Sequence, residues 1–343
     1  MFTHDSYANH EKVFMFNGLG GRLQGMIAIH DTTLGPAVGG CRFMHYEHPN
    51  DALRDVLRLS HGMTYKCAAA DLPLGGGKSV ILSNTWDGKD RKELFECFGE
   101  HVNQLAGQYY TAVDFGTTLG DMRAVSRTSE YVCGVATPIL ESTARGAFNA
   151  ILAVAEFNGW DLTQKSIAIQ GLGKTGYALA RMLRKAGIGE MFISDITFDD
   201  DMPNLGQTMA VELDATVVHS SEILSTECDV LAPCAIGGVL TNFAVSKLHC
   251  KAVCGIANNQ LVDDELANIL KRKDILYIPD FIANAGGVIA AANYVTKQDH
   301  TREIDNIKHR VLSILEASAV TDKTPLHVAK SRVEAKLNLA KAT

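Results

Sequence analysis

Ser166-Ile167-Ala168-Ile169-Gln170-Gly171-Leu172-Gly173-Lys174-Thr175-Gly176 decides the fold of this 343-residue chain. The run from Gly171 to Gly176 matches G-x-G-x-x-G, which alone is a weak signal because glycine turns without a ligand match it too. Here a short apolar strand precedes it, a helical pattern follows over residues 175–185, and a second strand is expected at 191–194. That is a βαβ unit, the setting in which the motif cradles a dinucleotide. Gly171 permits the tight turn, Gly173 lets backbone amides approach a pyrophosphate at the helix N-terminus, and Gly176 lets helix and strand pack closely. Leu172, Lys174 and Thr175 complete the same cofactor loop. Asp195 stands at the end of the next strand, twenty-four residues after Gly171, where a carboxylate accepts hydrogen bonds from ribose hydroxyls and repels a 2′-phosphate. No Lys or Arg follows it before Lys247, which favours NAD over NADP.

Working downstream, short apolar strands at Val217-Val218, Val230-Leu231, Ala252-Val253 and residues 275–278 alternate with polar or helical segments, as in a parallel sheet with covering helices. Helical patterns run from Asn284 to about Tyr294, over 302–318 and over 328–339. Upstream, residues 22–30 and 79–82 and 109–113 read as strands, and 50–63 and 93–105 as helices. A helix over 142–157 opens the dinucleotide-binding half, after a junction at Val135-Ala136-Thr137-Pro138. The expected architecture is therefore α/β, with two domains around a cleft. Residues 1–137 form the N-terminal substrate and oligomerisation domain and 138–324 the Rossmann domain, while a last helix at about 325–343 returns to the first.

Composition sets limits. Apolar residues make up 46% and charged residues 21%, ordinary values for a globular chain. The net charge of −7 argues against nucleic acid or an anionic membrane as partner. No uninterrupted apolar window is long enough to span a bilayer, and the N-terminus does not read as a leader. Eight scattered cysteines point to a reducing, cytoplasmic location. Cys250 and Cys254, with His249 beside them, lack a second ligand pair, so a strand entering the core is the expectation and no metal is.

The chemistry-bearing residues lie ahead of the fingerprint. Lys66, in Met63-Thr64-Tyr65-Lys66, and Lys78, after Gly75-Gly76-Gly77, are twelve residues apart, and Asp114 follows Lys78 by thirty-six. A single lysine between apolar runs ordinarily snorkels or pairs. Two of them, each in a small-residue context with room for a ligand, read instead as one cation for a carboxylate and one amine tunable into a general base. Asp114 is expected at the C-terminal end of a strand, the side of an open α/β sheet that faces ligands. Its plainer reading is an Asx turn or a helix cap for residues 117–125.

These blocks resemble the amino acid dehydrogenases related to glutamate dehydrogenase, in the leucine, valine, phenylalanine and tryptophan branch, with leucine dehydrogenase nearest in pattern. The resemblance runs from about Gly25 to Leu339 and includes Gly39-Gly40-Cys41-Arg42, Asp114-Phe115-Gly116-Thr117-Thr118, Ala232-Pro233-Cys234-Ala235, Gly255-Ile256-Ala257-Asn258-Asn259 and Asn284-Ala285-Gly286-Gly287. It implies that Lys66, helped by the Gly39 and Gly40 backbone, holds the substrate α-carboxylate, that Lys78 activates water, and that Asp114 exchanges a proton with the substrate amine. It also implies that Asn284 holds the α-carboxylate or the nicotinamide ribose, that Ala235, Ala257 and Asn258 line the nicotinamide, and that Thr143 binds its carboxamide. Val38, Met63, Ala112 and Val288 would form an apolar side-chain pocket without a cation for a second carboxylate, which argues against glutamate. Three departures from the family pattern stand out: a shortened segment at 135–144, Val113 before Asp114, and Ala283 before Asn284.

The function expected is NAD-dependent, reversible oxidative deamination of an apolar L-amino acid of the leucine, valine or isoleucine type, in a homo-oligomer. Two alternatives stay open: the same chemistry on phenylalanine, tryptophan or a non-proteinogenic amino acid, and a catalytically silent regulatory protein that binds NAD or amino acids.

Overall fold

The computed structural model describes residues 6–134, 139–199 and 202–342. The chain divides into two compact units, one comprising residues 1–138, 288–300 and 333–343, the other 139–287 and 301–332. The expected junction at Val135-Ala136-Thr137-Pro138 lies outside the described residues.

The first unit contains β1 (Lys12–Gly18), β2 (Leu23–Asp31), β3 (Ala37–Met44), α1 (Pro49–Ala69), β4 (Gly75–Leu82), α2 (Arg91–Asn103), β5 (Tyr109–Val113) and α3 (Leu119–Val125). Its sheet has the order β1-β2-β4-β3-β5, with β3 parallel to both β4 and β5. Side chains alternate across the strands. Ile27 and Ile29 of β2 face a core with Phe95, Phe98 and Met122, while Met26 and Ala28 face Val56 and Leu57 of α1. The sheet is thus covered by α1 on one side and by α2 and α3 on the other. Pro49 starts α1 without wasting a backbone donor, and Lys66 lies in its last turn, where the helix dipole favours a cation.

β4 begins at Gly75, four residues before the strand expected at 79–82, and is buried throughout. A glycine triplet reads as a turn. The structure gives the reason it is a strand: a Cβ on Gly76 would stand 2.1 Å from the Thr64 amide nitrogen, so only a bare backbone lets α1 lie this close. Beside this contact, His30 Nδ1 hydrogen-bonds Thr64 Oγ1 at 2.8 Å, and its ring meets those of His10 and His61 edge-on at 4.8 and 4.6 Å.

The second unit begins with α4 (Ile139–Phe157) and continues with β6 (Ser166–Gln170), α5 (Lys174–Lys185), β7 (Glu190–Ser194), α6 (Ile196–Asp199), α7 (Pro203–Leu213), β8 (Thr216–Val217), β9 (Val230–Pro233), α8 (Asn242–Ser246), β10 (Ala252–Val253), α9 (Leu266–Arg272), β11 (Leu276–Tyr277) and α10 (Asp280–Ala283). Its sheet is parallel, in the order β11-β10-β9-β6-β7-β8. Counted from β6, that is 3-2-1-4-5-6, the doubly wound dinucleotide-binding order with its switch point between β6 and β9. Cys250 and Cys254 flank β10 and are buried, as a strand entering the core requires.

Three helices complete the chain: α11 (Gly286–Thr296), α12 (Arg302–Thr321) and α13 (Pro325–Ala342). The helix expected from Asn284 to about Tyr294 is α11, which starts two residues later, at Gly286. Asn284 closes α10, its amide held by the Ile256 carbonyl at 3.0 Å and by Asn258 at 2.9 Å. The first unit also takes in residues 288–300, which the sequence assigns to the Rossmann domain, and α13 joins it only from Val333 onward. There Tyr65 donates to Glu334, and Lys336 to the Ala68 carbonyl and Asp71.

Candidate active site

In the first unit Lys78 projects from β4 and Asp114 follows β5, with β3 running between them. Val38 pairs with Gly76 and Cys41 with Ser79, which brings Gly40 level with Lys78, and on its other side Gly40 pairs with Ala112. A Cβ on Gly40 would lie 2.7 Å from the Asp114 Cβ. Its missing side chain lets the Lys78 ammonium reach across the strand and donate to Asp114 Oδ2.

The Asp114 carboxylate is held from several directions. Oδ1 accepts the Phe115 amide at 2.5 Å and has Arg42 Nε at 3.6 Å. Burial pushes this carboxyl up, but the Lys78 ammonium and Arg42 guanidinium outweigh it and hold it down at about 2. Asp114 is therefore ionised at any physiological pH. It caps no helix: Thr118 and Asp121 form a capping box for α3. The Asp114 amide instead donates to Thr117 Oγ1 at 2.8 Å, which fixes the turn after β5.

Lys66 sits half-buried in the last turn of α1, whose Thr64 packs on Gly76, two residues before Lys78. Of the expected pocket residues in this unit, Val38, Ala112 and Val288 are buried and Met63 is half-buried. Four residues that hold the site, Tyr109, Ser79, Arg42 and Asp55, were not singled out as site residues from the sequence. The buried Tyr109 hydroxyl donates to the Gly39 carbonyl at 2.6 Å and lies 3.0 Å from Ser79 Oγ, while Arg42 grips Asp55 at 2.8 and 3.1 Å. Arg42 lies within the Gly39-Gly40-Cys41-Arg42 block, and Ser79 and Tyr109 open the strands expected at 79–82 and 109–113.

In the second unit Gly171, Asp195, Ala235 and Ala257 follow the carboxyl ends of β6, β7, β9 and β10, Lys174, Thr175 and Gly176 open α5, and Thr143 lies on α4. Gly171 has φ +93°, and a Cβ there would stand 2.7 Å from Ala235, across the switch point. Gly173 opens α5 with no side-chain cap, and a Cβ on it would meet nothing within 4 Å. The space beside Gly173, at the N-terminus of α5, is thus open, as a pyrophosphate requires. Asp195 lies just after β7; it accepts the Leu172 amide at 2.9 Å and Thr197 Oγ1 at 2.9 Å, tying the glycine loop to the next strand. Pro233 of β9 accepts the amides of Ile256 and Ala257, both at 2.9 Å, which fixes the exposed Asn258 beside Asn284. Asn284 Oδ1 and Gln170 Oε1 are buried with no hydrogen-bond partner among the described residues. Thr143 donates to the Ile139 carbonyl at 2.8 Å and adjoins Gly287. Open space at a helix N-terminus, an anchored carboxylate and orphaned acceptors together fit a nicotinamide dinucleotide.

A dinucleotide-binding sheet in one unit and a buried lysine–aspartate pair in the other define a nicotinamide-dependent dehydrogenase. Comparison with known proteins makes this specific. Residues 7–131 match the Glu/Leu/Phe/Val dehydrogenase dimerisation domain and residues 202–324 the Glutamate/Leucine/Phenylalanine/Valine dehydrogenase model. Phenylalanine dehydrogenase of Lysinibacillus sphaericus is 42% identical over 90% of this chain and 83% of its own length. Leucine dehydrogenase of Geobacillus stearothermophilus is 36% identical over 97% and 92%. The crystal structure of L-tryptophan dehydrogenase from Nostoc punctiforme superposes with a TM-score of 0.81 at 35% identity, covering 97% of both chains. The chain belongs to the Glu/Leu/Phe/Val dehydrogenase family and is an amino acid dehydrogenase. Among the described residues no helix is long and apolar enough to cross a membrane.

Proposed function

We propose that this enzyme catalyses the NAD-dependent, reversible oxidative deamination of an apolar L-amino acid of the leucine, valine or isoleucine type to the 2-oxo acid and ammonia. The observation that carries the reading is the ion pair of Lys78 and Asp114, a buried amine and a carboxylate placed to move protons. Lys66 and the Gly39–Gly40 backbone hold the substrate α-carboxylate. Asp114 takes a proton from the substrate amine as the imine forms, and Lys78 activates the water that adds to the imine carbon before ammonia leaves. When bound, NAD accepts the hydride from Cα.

Gly171, Leu172, Gly173, Lys174, Thr175 and Gly176 hold the pyrophosphate and Asp195 the adenosine ribose. Thr143, Ala235, Ala257 and Asn258 line the nicotinamide, and Asn284 offers its free Oδ1 to the nicotinamide ribose. NAD is preferred over NADP because Asp195 repels a 2′-phosphate and no Lys or Arg lies between it and Lys247.

Val38, Met63, Ala112 and Val288 give an apolar pocket. Such a surface separates single methylenes by only about 1–3 kcal/mol, so several aliphatic substrates are accepted. Phenylalanine is the second reading, favoured by the small Ala112 and by the 42% identity to a phenylalanine dehydrogenase. The match to a dimerisation domain supports a homo-oligomer. Eight free cysteines fit a reducing cytoplasm.

The test is NADH formation at alkaline pH across the twenty L-amino acids, with NAD and NADP in parallel. Turnover of leucine, valine or isoleucine with NAD supports the reading. Turnover of phenylalanine alone moves the substrate to the second reading, and turnover with NADP in preference to NAD overturns the cofactor assignment.

A further inference from the structure

We propose that Arg42 is a positioning residue for the reaction, and that Asp55 sets how much of its charge reaches Asp114. Arg42 stands near the end of β3, two residues past the Gly40 over which Lys78 reaches Asp114. Its guanidinium faces two carboxylates. NH1 holds both oxygens of Asp55 from α1, at 2.8 and 3.1 Å, and the Tyr46 hydroxyl donates to the same Asp55 at 2.7 Å. Nε points at Asp114 Oδ1 from 3.6 Å, just beyond hydrogen-bond range, and has no hydrogen-bond partner among the described residues.

A buried donor with no partner is costly, and here it is aimed at the one carboxylate that must let go of Lys78 when substrate arrives. As that ion pair opens, a movement of well under 1 Å lets Asp114 Oδ1 accept from Nε. Arg42 thereby supplies a second cation that keeps Asp114 ionised and oriented while Lys78 turns to water and substrate. Tyr46 and Asp55 hold the guanidinium in place, so the partner is waiting before the pair opens.

The charged and titratable groups around this cluster come from every neighbouring element. Lys78 faces it from β4, Asp55 from α1, Asp114 from the end of β5, and Tyr46 from just beyond β3. The Cys41 thiol on β3 is kept protonated by burial, its ionisation pushed up to about 12. Asp121 of α3 is neutralised by Arg91 at 2.8 Å. The net field on the Lys78–Asp114 pair is therefore set chiefly by Arg42 against Asp55.

That balance gives two shifts of opposite sign. A cation beside an amine and a carboxylate favours the deprotonated form of each. Arg42→Gln removes it, so the acid limb of the kcat/KM profile moves to higher pH, by about one unit. Asp55→Asn removes the anion that offsets Arg42, so the same limb moves to lower pH, by roughly half a unit. Arg42→Lys keeps the charge but not the Nε donor; it leaves the limb near the wild-type position while kcat falls.

The inference rests on the proposed roles of Lys78 and Asp114, so the profiles are measured alongside Lys78→Ala. If Lys78→Ala retains wild-type turnover, the functional reading fails. If Lys78→Ala is inactive yet neither Arg42→Gln nor Asp55→Asn moves the limb, the functional reading stands and the role of Arg42 is overturned. A fall in kcat with both limbs fixed in Arg42→Gln, the signature of a merely structural residue, overturns it too. Should Arg42→Gln fail to fold, the acid-ward shift of Asp55→Asn decides alone.

Discussion

The two units solve opposite problems with their polar groups. In the first, charges satisfy one another: Lys78 is paired with Asp114, Asp114 faces Arg42, and Arg42 is gripped by Asp55. In the second, polar groups stand open: the N-terminus of α5 is uncapped, and Asn284 Oδ1 and Gln170 Oε1 are buried without partners. Under the proposed function, the difference follows from what each unit would handle. Catalytic charges that are desolvated before substrate arrives must balance internally or they destabilise the fold. A cofactor brings its own charges and donors, so its site is built from groups that the cofactor will satisfy.

This contrast can be broken most forcefully at Asp114. Asp114→Asn leaves Lys78 and Arg42 facing a neutral group. We expect kcat to fall by about 10²–10⁴-fold, and stability by about 3 kcal/mol, because a buried charge loses its partner. Urea unfolding checks the second number, and a variant as stable as wild type would mean that the balance in the first unit is unimportant. Gly40→Ala sharpens the geometry, since its methyl would lie 2.7 Å from the Asp114 Cβ and 2.8 Å from the Val113 carbonyl oxygen. Displacing the carboxylate is expected to lower kcat by about tenfold to a hundredfold with little change in NADH binding, as titrated by fluorescence.

In the second unit, Asp195→Ala should lower the NAD-to-NADP ratio of kcat/KM by about tenfold, through loss of a charged acceptor and of the tie to Leu172. An unchanged ratio would contradict the role given to Asp195.

The smallest effect lies in the histidines of the first unit. Burial lowers His10 to about 4 and His30 to about 3. Above the ordinary value of 6.5 both are neutral, folded or unfolded. Below it the unfolded chain takes up protons that the fold refuses, so stability falls with pH until the folded-state values are reached. The loss should be on the order of 1 kcal/mol per pH unit between pH 6 and pH 4. It is read from urea midpoints, and a His30→Gln variant should give a shallower slope.

How legible these regions were in sequence differs for a physical reason. The glycine fingerprint works through backbone shape over a few neighbouring residues, so Gly171, Gly173 and Gly176 could be read directly, along with β6 and the helix that follows. The first unit depends on contacts distant in sequence. Gly76 is a strand residue only because Thr64 presses on it, and Gly39 and Gly40 lie in β3, which the reading missed because glycines argue against a strand. Lys66, Lys78 and Asp114 stood out by residue type and context. Tyr109 and Arg42 did not, since a tyrosine in a strand and an arginine after two glycines announce nothing until their partners are known. The short helix α10, Asp280–Ala283, was hidden for the same reason, since four residues carry no helical period and its end is fixed by the Ile256 carbonyl and Asn258.

The Lys78–Asp114 pair is proposed to perform the proton transfers of amino acid oxidation. The most direct test is Lys78→Ala, assayed by NADH formation on the best substrate of the wild-type enzyme, with NADH affinity measured in parallel. Turnover is expected to fall at least about a hundredfold while NADH affinity stays within about twofold. Retention of more than about a tenth of the wild-type rate, with NADH binding intact, would show that Lys78 is not the base.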